Sequence, residues 1–134
     1  MSLIFIDYTP LYYTTVAKAA MPPGISGKFV QLRNESDEYL VLSPREFTKY
    51  HAGIVERFCF DKGIEGSYDP EKKRFDIYDT AWTIIGGGKF ELDAIKNTLR
   101  LYDNSQAYGK FDARELLEKI RSLPDFSGYT ILIE

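Results

Sequence analysis

Short apolar runs and alternating patterns divide the chain into predicted strands. Alternation of apolar and polar side chains is typical of a strand with one buried face, whereas an unbroken apolar run is typical of a strand buried on both faces. The run Tyr39-Leu40-Val41-Leu42 therefore predicts a fully buried strand. The other predicted strands cover residues 3–8, 28–33, 64–69, 74–80, 81–85 and 129–133, and a further hairpin spans residues 89–103.

Two helices are predicted from the residues at their ends. Ser43 and Glu46 form a capping box around a proline at the first helical position, and apolar residues at helical spacing follow until Gly63. A second box begins at Asp112, and Pro124 ends that helix. The pattern therefore places one helix in the middle of the chain and one near its carboxyl end.

The amino-terminal region is less clearly patterned. Residues 11–21 fit either a short helix or an extended arm. Residues 22–27 contain two prolines and two glycines, which predicts a loop.

Length and composition indicate one globular domain. The chain has 134 residues, of which 44% are hydrophobic and 28% are charged, within the range of ordinary folded domains. The formal net charge is −3, whereas a protein that tracks nucleic-acid phosphates is usually basic. We therefore expect no nucleic-acid partner.

The chain contains one cysteine, Cys59, and one histidine, His51. These counts exclude an internal disulfide and a zinc site with several histidines, so no metal or other cofactor is expected. A single thiol fits a reducing compartment. The apolar residues 3–6 have no basic residue before them, and no apolar run approaches the ~18 residues of a membrane span. A cytoplasmic protein without a membrane partner is the expectation.

His51 is the candidate for imidazole chemistry. It falls in the apolar stripe of the first predicted helix, one turn from Phe47 and from Val55. One interpretation is a packed histidine whose ring bonds a backbone carbonyl. The other is a general base or nucleophile, because partial burial would keep the imidazole neutral at pH 7.

Three further segments offer candidate anion contacts. Gly86-Gly87-Gly88 is either a flexible strand end or a backbone that another group approaches closely, with Lys89 beside it as an anion contact. The loop Ser105–Gly109 is either an ordinary connection or a source of N–H groups and a hydroxyl for a phosphate. Lys28 begins a strand, and the basic run 72–74 is interpreted as a solvated hairpin turn.

These segments occur in an order that resembles the Janus/Ocnus family, which includes a small phosphohistidine phosphatase. The matching pieces are Lys49-Tyr50-His51-Ala52-Gly53-Ile54, then Gly86-Gly87-Gly88-Lys89, then Leu101-Tyr102-Asp103-Asn104-Ser105-Gln106-Ala107-Tyr108-Gly109, and finally Pro124-Asp125-Phe126. The resemblance covers roughly residues 28–133, so residues 1–27 form an amino-terminal arm outside it and residues 28–134 the Janus-like domain.

The resemblance implies an α+β fold: a single compact domain with one mixed β-sheet packed by two α-helices. It also implies a metal-independent phosphatase that acts on phosphohistidine or phospholysine in a protein. His51 would be the catalytic base or a transient phosphoryl acceptor. Lys28, Lys89, Ser105 and Ala107 would bind the phosphoryl oxygens. Lysine at position 89 replaces the usual arginine of the family and so lacks its bidentate fork.

Two alternatives stay open beside the phosphatase. One is a non-catalytic module that binds phosphate or a phosphopeptide on the same fold. The other is a structural protein whose aromatic amino-terminal arm packs on a partner. A homodimer through that arm or through an edge strand is also left open.

Overall fold

The computed structural model describes residues 2–134, so Met1 of the predicted arm lies outside the described residues. The strands are β1 (Ser2–Asp7), β2 (Gly24–Arg33), β3 (Asp37–Pro44), β4 (Gly66–Tyr68), β5 (Phe75–Ile77), β6 (Thr83–Asp93), β7 (Thr98–Tyr102) and β8 (Thr130–Ile133). The α-helices are α1 (Thr9–Tyr12), α2 (His51–Lys62) and α3 (Leu116–Arg121). A π-helical turn, Tyr13–Ala17, continues α1, and a 3₁₀ turn, Pro124–Phe126, follows α3.

Six strands form a mixed sheet in the order β1-β3-β2-β6-β7-β8. The central pairs are antiparallel, whereas the outer strands β1 and β8 pair in parallel with β3 and β7. The hairpin of β4 and β5 forms a separate two-stranded sheet. The α+β fold predicted above is confirmed, with a small second sheet and a third, one-turn helix added to it.

The core has two layers because successive residues of the central strands point to opposite faces. Phe29 of β2 packs in the layer that contains α3, and Val30 packs in the layer that contains α2. Both side chains are completely buried. Residues 39–42 of β3 are buried as well, which confirms the strand predicted to be covered on both faces.

The predicted start of α2 is wrong. Ser43 and Pro44 lie in β3, and the helix begins at His51 with Tyr50 as an uncapped N-cap. Ser43 pairs with Lys28 across the sheet, and its hydroxyl lies 2.7 Å from that of Thr48. Hydrogen bonds between β3 and its neighbouring strands, together with burial in the core, keep Ser43 and Pro44 extended. These contacts outweigh the local helix-capping signal. The predicted end at Gly63 is confirmed, since this residue has the left-handed φ of 69° that favours glycine.

The second helix also begins later than predicted. Asp112 does not cap it, because α3 starts at Leu116. The Asp112 carboxylate instead forms ion pairs with Arg33 (3.2 Å) and Arg114 (2.9 Å). The hydrogen bond from Arg114 is the main cause that lowers the pKa of Asp112 far below its usual range.

Three other predictions are resolved by the sheet. Residues 83–85 of the predicted strand 81–85 and the first half of the predicted hairpin form one continuous strand, β6, which includes all three glycines. Residues 81 and 82 lie before this strand. Part of the predicted loop 22–27 is extended, because β2 begins at Gly24. In the segment 11–21, residues 11 and 12 end α1 and residues 13–17 form the π-helical turn, whereas residues 18–21 are in neither a helix nor a strand. Before this segment, β1 joins the main sheet beside β3.

No helix within residues 2–134 combines the length and the apolar character needed to cross a membrane.

Candidate functional site

A cleft of about 910 Å³ opens where several elements meet. Lys28 of β2 and Lys89 of β6 line it together with His51, the first residue of α2. The loop after β7 contributes Ala107, and the β4–β5 hairpin closes another side. The structure thus brings together four of the five site residues predicted from the sequence. Ser105 does not line the cleft.

The His51 imidazole is held against β6. Its Nε2 lies 2.9 Å from the carbonyl oxygen of Gly88. Because a carbonyl only accepts, Nε2 carries the hydrogen and Nδ1 keeps its lone pair. Nδ1 has no hydrogen-bond partner within the described residues and is not among their fully buried atoms without a partner, so it is open to solvent at a residue that lines the cleft. The ring therefore presents a proton acceptor to the cleft.

The charge state of His51 follows from its surroundings. Burial is the main cause that lowers its pKa below the ordinary 6.5, and the nearby Lys28 and Lys89 ammonium groups lower it further. The bond to the Gly88 carbonyl and the Asp103 carboxylate oppose this shift. Only 7% of the residue is exposed. A neutral imidazole at pH 7 is the result.

The three glycines of β6 are required by close approaches from three directions. A Cβ on Gly86 would lie 2.3 Å from the Lys110 carbonyl oxygen, and one on Gly88 would lie 2.4 Å from that of Tyr102. A Cβ on Gly87 would meet the His51 ring at 2.9 Å. The Gly87 N–H also donates to the Gly109 carbonyl at 3.1 Å. The three glycines therefore leave the space that the imidazole and the loop after β7 need to pack against β6.

Ser105 stabilises the loop after β7 through hydrogen bonds within the loop. The residue is buried, and its Oγ accepts a hydrogen bond from the Tyr108 N–H at 3.1 Å. Ser105 and Gly109 exchange two backbone hydrogen bonds, which hold the two ends of the loop together. The N–H groups of Gln106 and Ala107 donate to no acceptor in the described chain, and both residues line the cleft. Ser105 thus shapes a loop that contributes two amides without an acceptor to residues bordering the cleft.

The two predicted lysines differ in their partners. Lys28 Nζ donates to the Lys49 carbonyl at 2.9 Å and has no carboxylate partner among residues 2–134. Lys89 Nζ is paired with the Asp103 carboxylate at 3.2 Å. This hydrogen bond from Lys89 is the main cause that lowers the pKa of Asp103. Lys28 is therefore the freer cation of the two.

Four cleft residues with positive charge were not predicted as site residues. They are Lys49, Arg57, Lys72 and Lys73. Arg57 lies on α2 with its guanidinium 3.8 Å from the Phe47 ring centroid, a contact that no local pattern signals. The basic run 72–74 was visible in the sequence, but only the fold shows that Lys72 and Lys73 line the same cleft as His51.

No group of three or more His, Cys, Asp and Glu side chains in residues 2–134 is arranged to hold a metal ion.

We expect the His51 ring to titrate below pH 6.5 and to carry its neutral-state hydrogen on Nε2. The chain has one histidine, so ¹⁵N chemical shifts of the imidazole report on this group alone. In the unfolded chain the pKa returns to its ordinary value, so the unfolded state binds more protons as the pH falls below about 6.5. The free energy of unfolding should therefore decrease on acidification, by at most about 1.4 kcal/mol per pH unit from this group.

The control for this titration is His51→Gln, which lacks the ionisable ring. Subtracting the unfolding free energy of this variant from that of the wild type at each pH removes the contribution of other groups. Asp7 is one of these groups, because burial raises its pKa. A ring pKa above 6.5, or a hydrogen on Nδ1, would contradict this description of the site.

A comparison with protein families gives a match over most of the chain. The model of the Janus/Ocnus family (Ocnus) matches residues 28–130, which is more than half of the chain. The comparison with curated proteins gives no match.

Proposed function

The chain belongs to the Janus/Ocnus family, and we propose that it is a metal-independent protein phosphatase for phosphohistidine or phospholysine with His51 as the general base. One observation carries the proposal. A neutral imidazole, with its tautomer fixed by the Gly88 carbonyl, presents Nδ1 to a cleft lined by cations. This arrangement suits proton removal from a water molecule beside a phosphoryl group.

The proposed reaction needs one proton acceptor. A water attacks phosphorus in line with the P–N bond while Nδ1 of His51 takes its proton. The P–O bond forms, the P–N bond breaks, and the proton passes to the leaving nitrogen, which restores the neutral imidazole. Because a phosphoramidate bond is labile, positioning and charge stabilisation supply most of the remaining rate enhancement.

The phosphoryl oxygens would be held by groups on two sides of the cleft. Lys28 offers an ammonium without a carboxylate partner, and the amides of Gln106 and Ala107 offer neutral donors. Lys89 would contribute once its bond to Asp103 loosens. Ser105 supports these donors by shaping the loop.

The proposed partner is a phosphorylated protein or peptide, and we propose no nucleic-acid or membrane partner. The net charge of −3 disfavours general binding to nucleic acid. The cytoplasm is the proposed compartment, because the single cysteine, Cys59, fits a reducing environment.

Purified protein should release phosphate from a phosphohistidine peptide and from a phospholysine peptide, but not from the matching phosphoserine peptide. The reason is that one base and a set of anion contacts suffice for a labile P–N bond, whereas a phosphate monoester is far less reactive. Phosphate release in the presence of EDTA, measured by ³¹P NMR, checks both selectivity and metal independence. Failure to cleave either P–N substrate would contradict the proposal.

The second candidate is a non-catalytic phosphopeptide-binding module. The pairing of Lys89 with Asp103 favours it, because a lysine neutralised in this way gives less transition-state stabilisation. Binding of the phosphohistidine peptide without phosphate release would support this module.

A further inference from the structure

The cleft is larger and more basic than a phosphoryl group alone requires. Its volume of about 910 Å³ suits a ligand of drug or peptide size. The basic residues that line it are Lys28, Lys49, Arg57, Lys72, Lys73 and Lys89. The acidic ones are Glu56 and Asp103, so the lining carries four more positive than negative charges. The whole chain, by contrast, has a net charge of −3.

Both acidic residues of the lining are already engaged. Glu56 accepts a hydrogen bond from the Tyr68 hydroxyl at 2.9 Å, and Asp103 is paired with Lys89. The remaining positive charge is therefore available to a ligand. Much of it lies on the β4–β5 hairpin, through Lys72 and Lys73.

The hairpin is fixed to the loop beside His51. The Tyr108 hydroxyl donates to the Phe75 carbonyl and accepts from the Phe75 N–H, both at 2.8 Å. Arg74 Nη1 donates to the Ala107 carbonyl at 2.9 Å, and its guanidinium lies 4.9 Å from the Tyr108 ring centroid. These contacts make the hairpin a wall of the same cleft and hold it at a defined place relative to the imidazole.

The turn of the hairpin presents its lysines to solvent. The Asp69 carboxylate accepts hydrogen bonds from the N–H groups of Lys73 (2.7 Å) and Arg74 (2.8 Å), which fixes the turn backbone. Lys73 is paired with Glu71, but both side chains are more than 70% exposed, so this pair is weak. Lys72 has no carboxylate partner in the described chain.

We propose that the β4–β5 hairpin is a specificity element that binds an acidic segment of the protein substrate through Lys72 and Lys73 while the phosphorylated side chain lies at His51. The proposal rests on the proposed function for the location of the phosphorylated residue. The occupant is an acidic peptide because a chain that bears several carboxylates complements the excess positive charge of the cleft lining.

The test uses a short fluorescein-labelled peptide of alternating glutamate and glycine that carries no phosphate. Wild-type protein should bind it with an affinity that falls as salt is added, and should bind the glutamine-for-glutamate counterpart more weakly. The double variant Lys72→Gln/Lys73→Gln should raise the Kd for the acidic peptide about 2- to 30-fold, as expected for two exposed charge contacts. Fluorescence anisotropy at low ionic strength measures the change.

The matched control is Lys18→Gln/Lys96→Gln, which removes the same charge outside the cleft. Lys18 has a positive φ of 51°, close to the 59° of Lys72, so each pair includes one residue of left-handed backbone. The control should bind within about twofold of wild type, and Lys72→Arg/Lys73→Arg should retain binding. Equal losses in both glutamine pairs, no loss in either, or tighter binding of a short oligonucleotide would overturn the proposal.

The two proposals fail separately. Protein that binds the acidic peptide through the hairpin but cleaves no phosphoramidate would contradict the phosphatase and leave the hairpin's role intact. Protein that cleaves phosphohistidine while Lys72→Gln/Lys73→Gln binds the acidic peptide as wild type does would contradict the hairpin proposal alone.

Discussion

Replacing His51 with glutamine should lower kcat/KM for a phosphohistidine peptide by about 10²- to 10⁴-fold, the usual contribution of a general base. Glutamine places an amide donor where the imidazole Nε2–H donates to the Gly88 carbonyl. It therefore preserves that hydrogen bond and removes the proton acceptor on the cleft side. The loss should appear mainly in kcat, because Lys28 and the loop amides, the proposed phosphoryl contacts, stay in place.

Two measurements separate lost chemistry from lost structure. The affinity of His51→Gln for inorganic phosphate should stay within a few fold of wild type, as measured by ³¹P or amide NMR shifts. His51→Ala should lose more stability than His51→Gln, because it leaves the Gly88 carbonyl without its donor. Activity of His51→Gln near the wild-type level would assign the base to another group.

Replacing Gly87 with alanine should lower both stability and turnover. The added Cβ would lie 2.6 Å from the Phe29 carbonyl oxygen and 2.9 Å from Cδ2 of His51. The backbone oxygen is fixed by its own strand, so the sheet must spread or the imidazole must move. Overpacking of this kind costs about 1–3 kcal/mol, and displacement of the ring would reduce kcat by about 10-fold or more. Chemical denaturation and phosphate release measure the two effects.

The matched control is Gly24→Ala, at the start of the neighbouring strand β2. A Cβ there meets nothing within 4 Å, and the residue has no positive φ. Alanine should leave turnover unchanged and should stabilise the fold slightly, by about 0.4–1 kcal/mol, by restricting the unfolded chain. A Gly87→Ala variant as stable and active as Gly24→Ala would show that β6 does not seat the imidazole.

Local patterns were sufficient to locate most of the strands. The continuous apolar run of β3 and the alternation in β7 each report directly which faces are buried, since side chains alternate strictly along a strand. The end of α2 at Gly63 was also predictable from the sequence, because few other residues adopt its left-handed φ so readily. The family resemblance, carried by the order of the histidine, the glycine run and the loop after β7, pointed to five site residues, of which four line the cleft and Ser105 does not.

Local patterns failed where distant residues compete for the same backbone. Ser43 carries a good capping signal, yet it stays in β3 because Lys28 pairs with it across the sheet. Asp112 carries another, yet its carboxylate binds Arg33, 79 residues away in sequence. In both cases contacts across the fold outweigh a cap, which contributes only about 1 kcal/mol.

The sequence by itself determined most of the strands, the burial of β3 on both faces and the identity of the one imidazole, because these depend on spacing along the chain and on residue type. Only the tertiary structure decided that Ser105 is buried, that Lys89 is paired with Asp103, and that Lys72 of the hairpin lines the same cleft as His51. These features depend on which atoms come into contact after the chain folds. Contacts between side chains far apart in sequence produce no periodic pattern, so a single sequence does not reveal them.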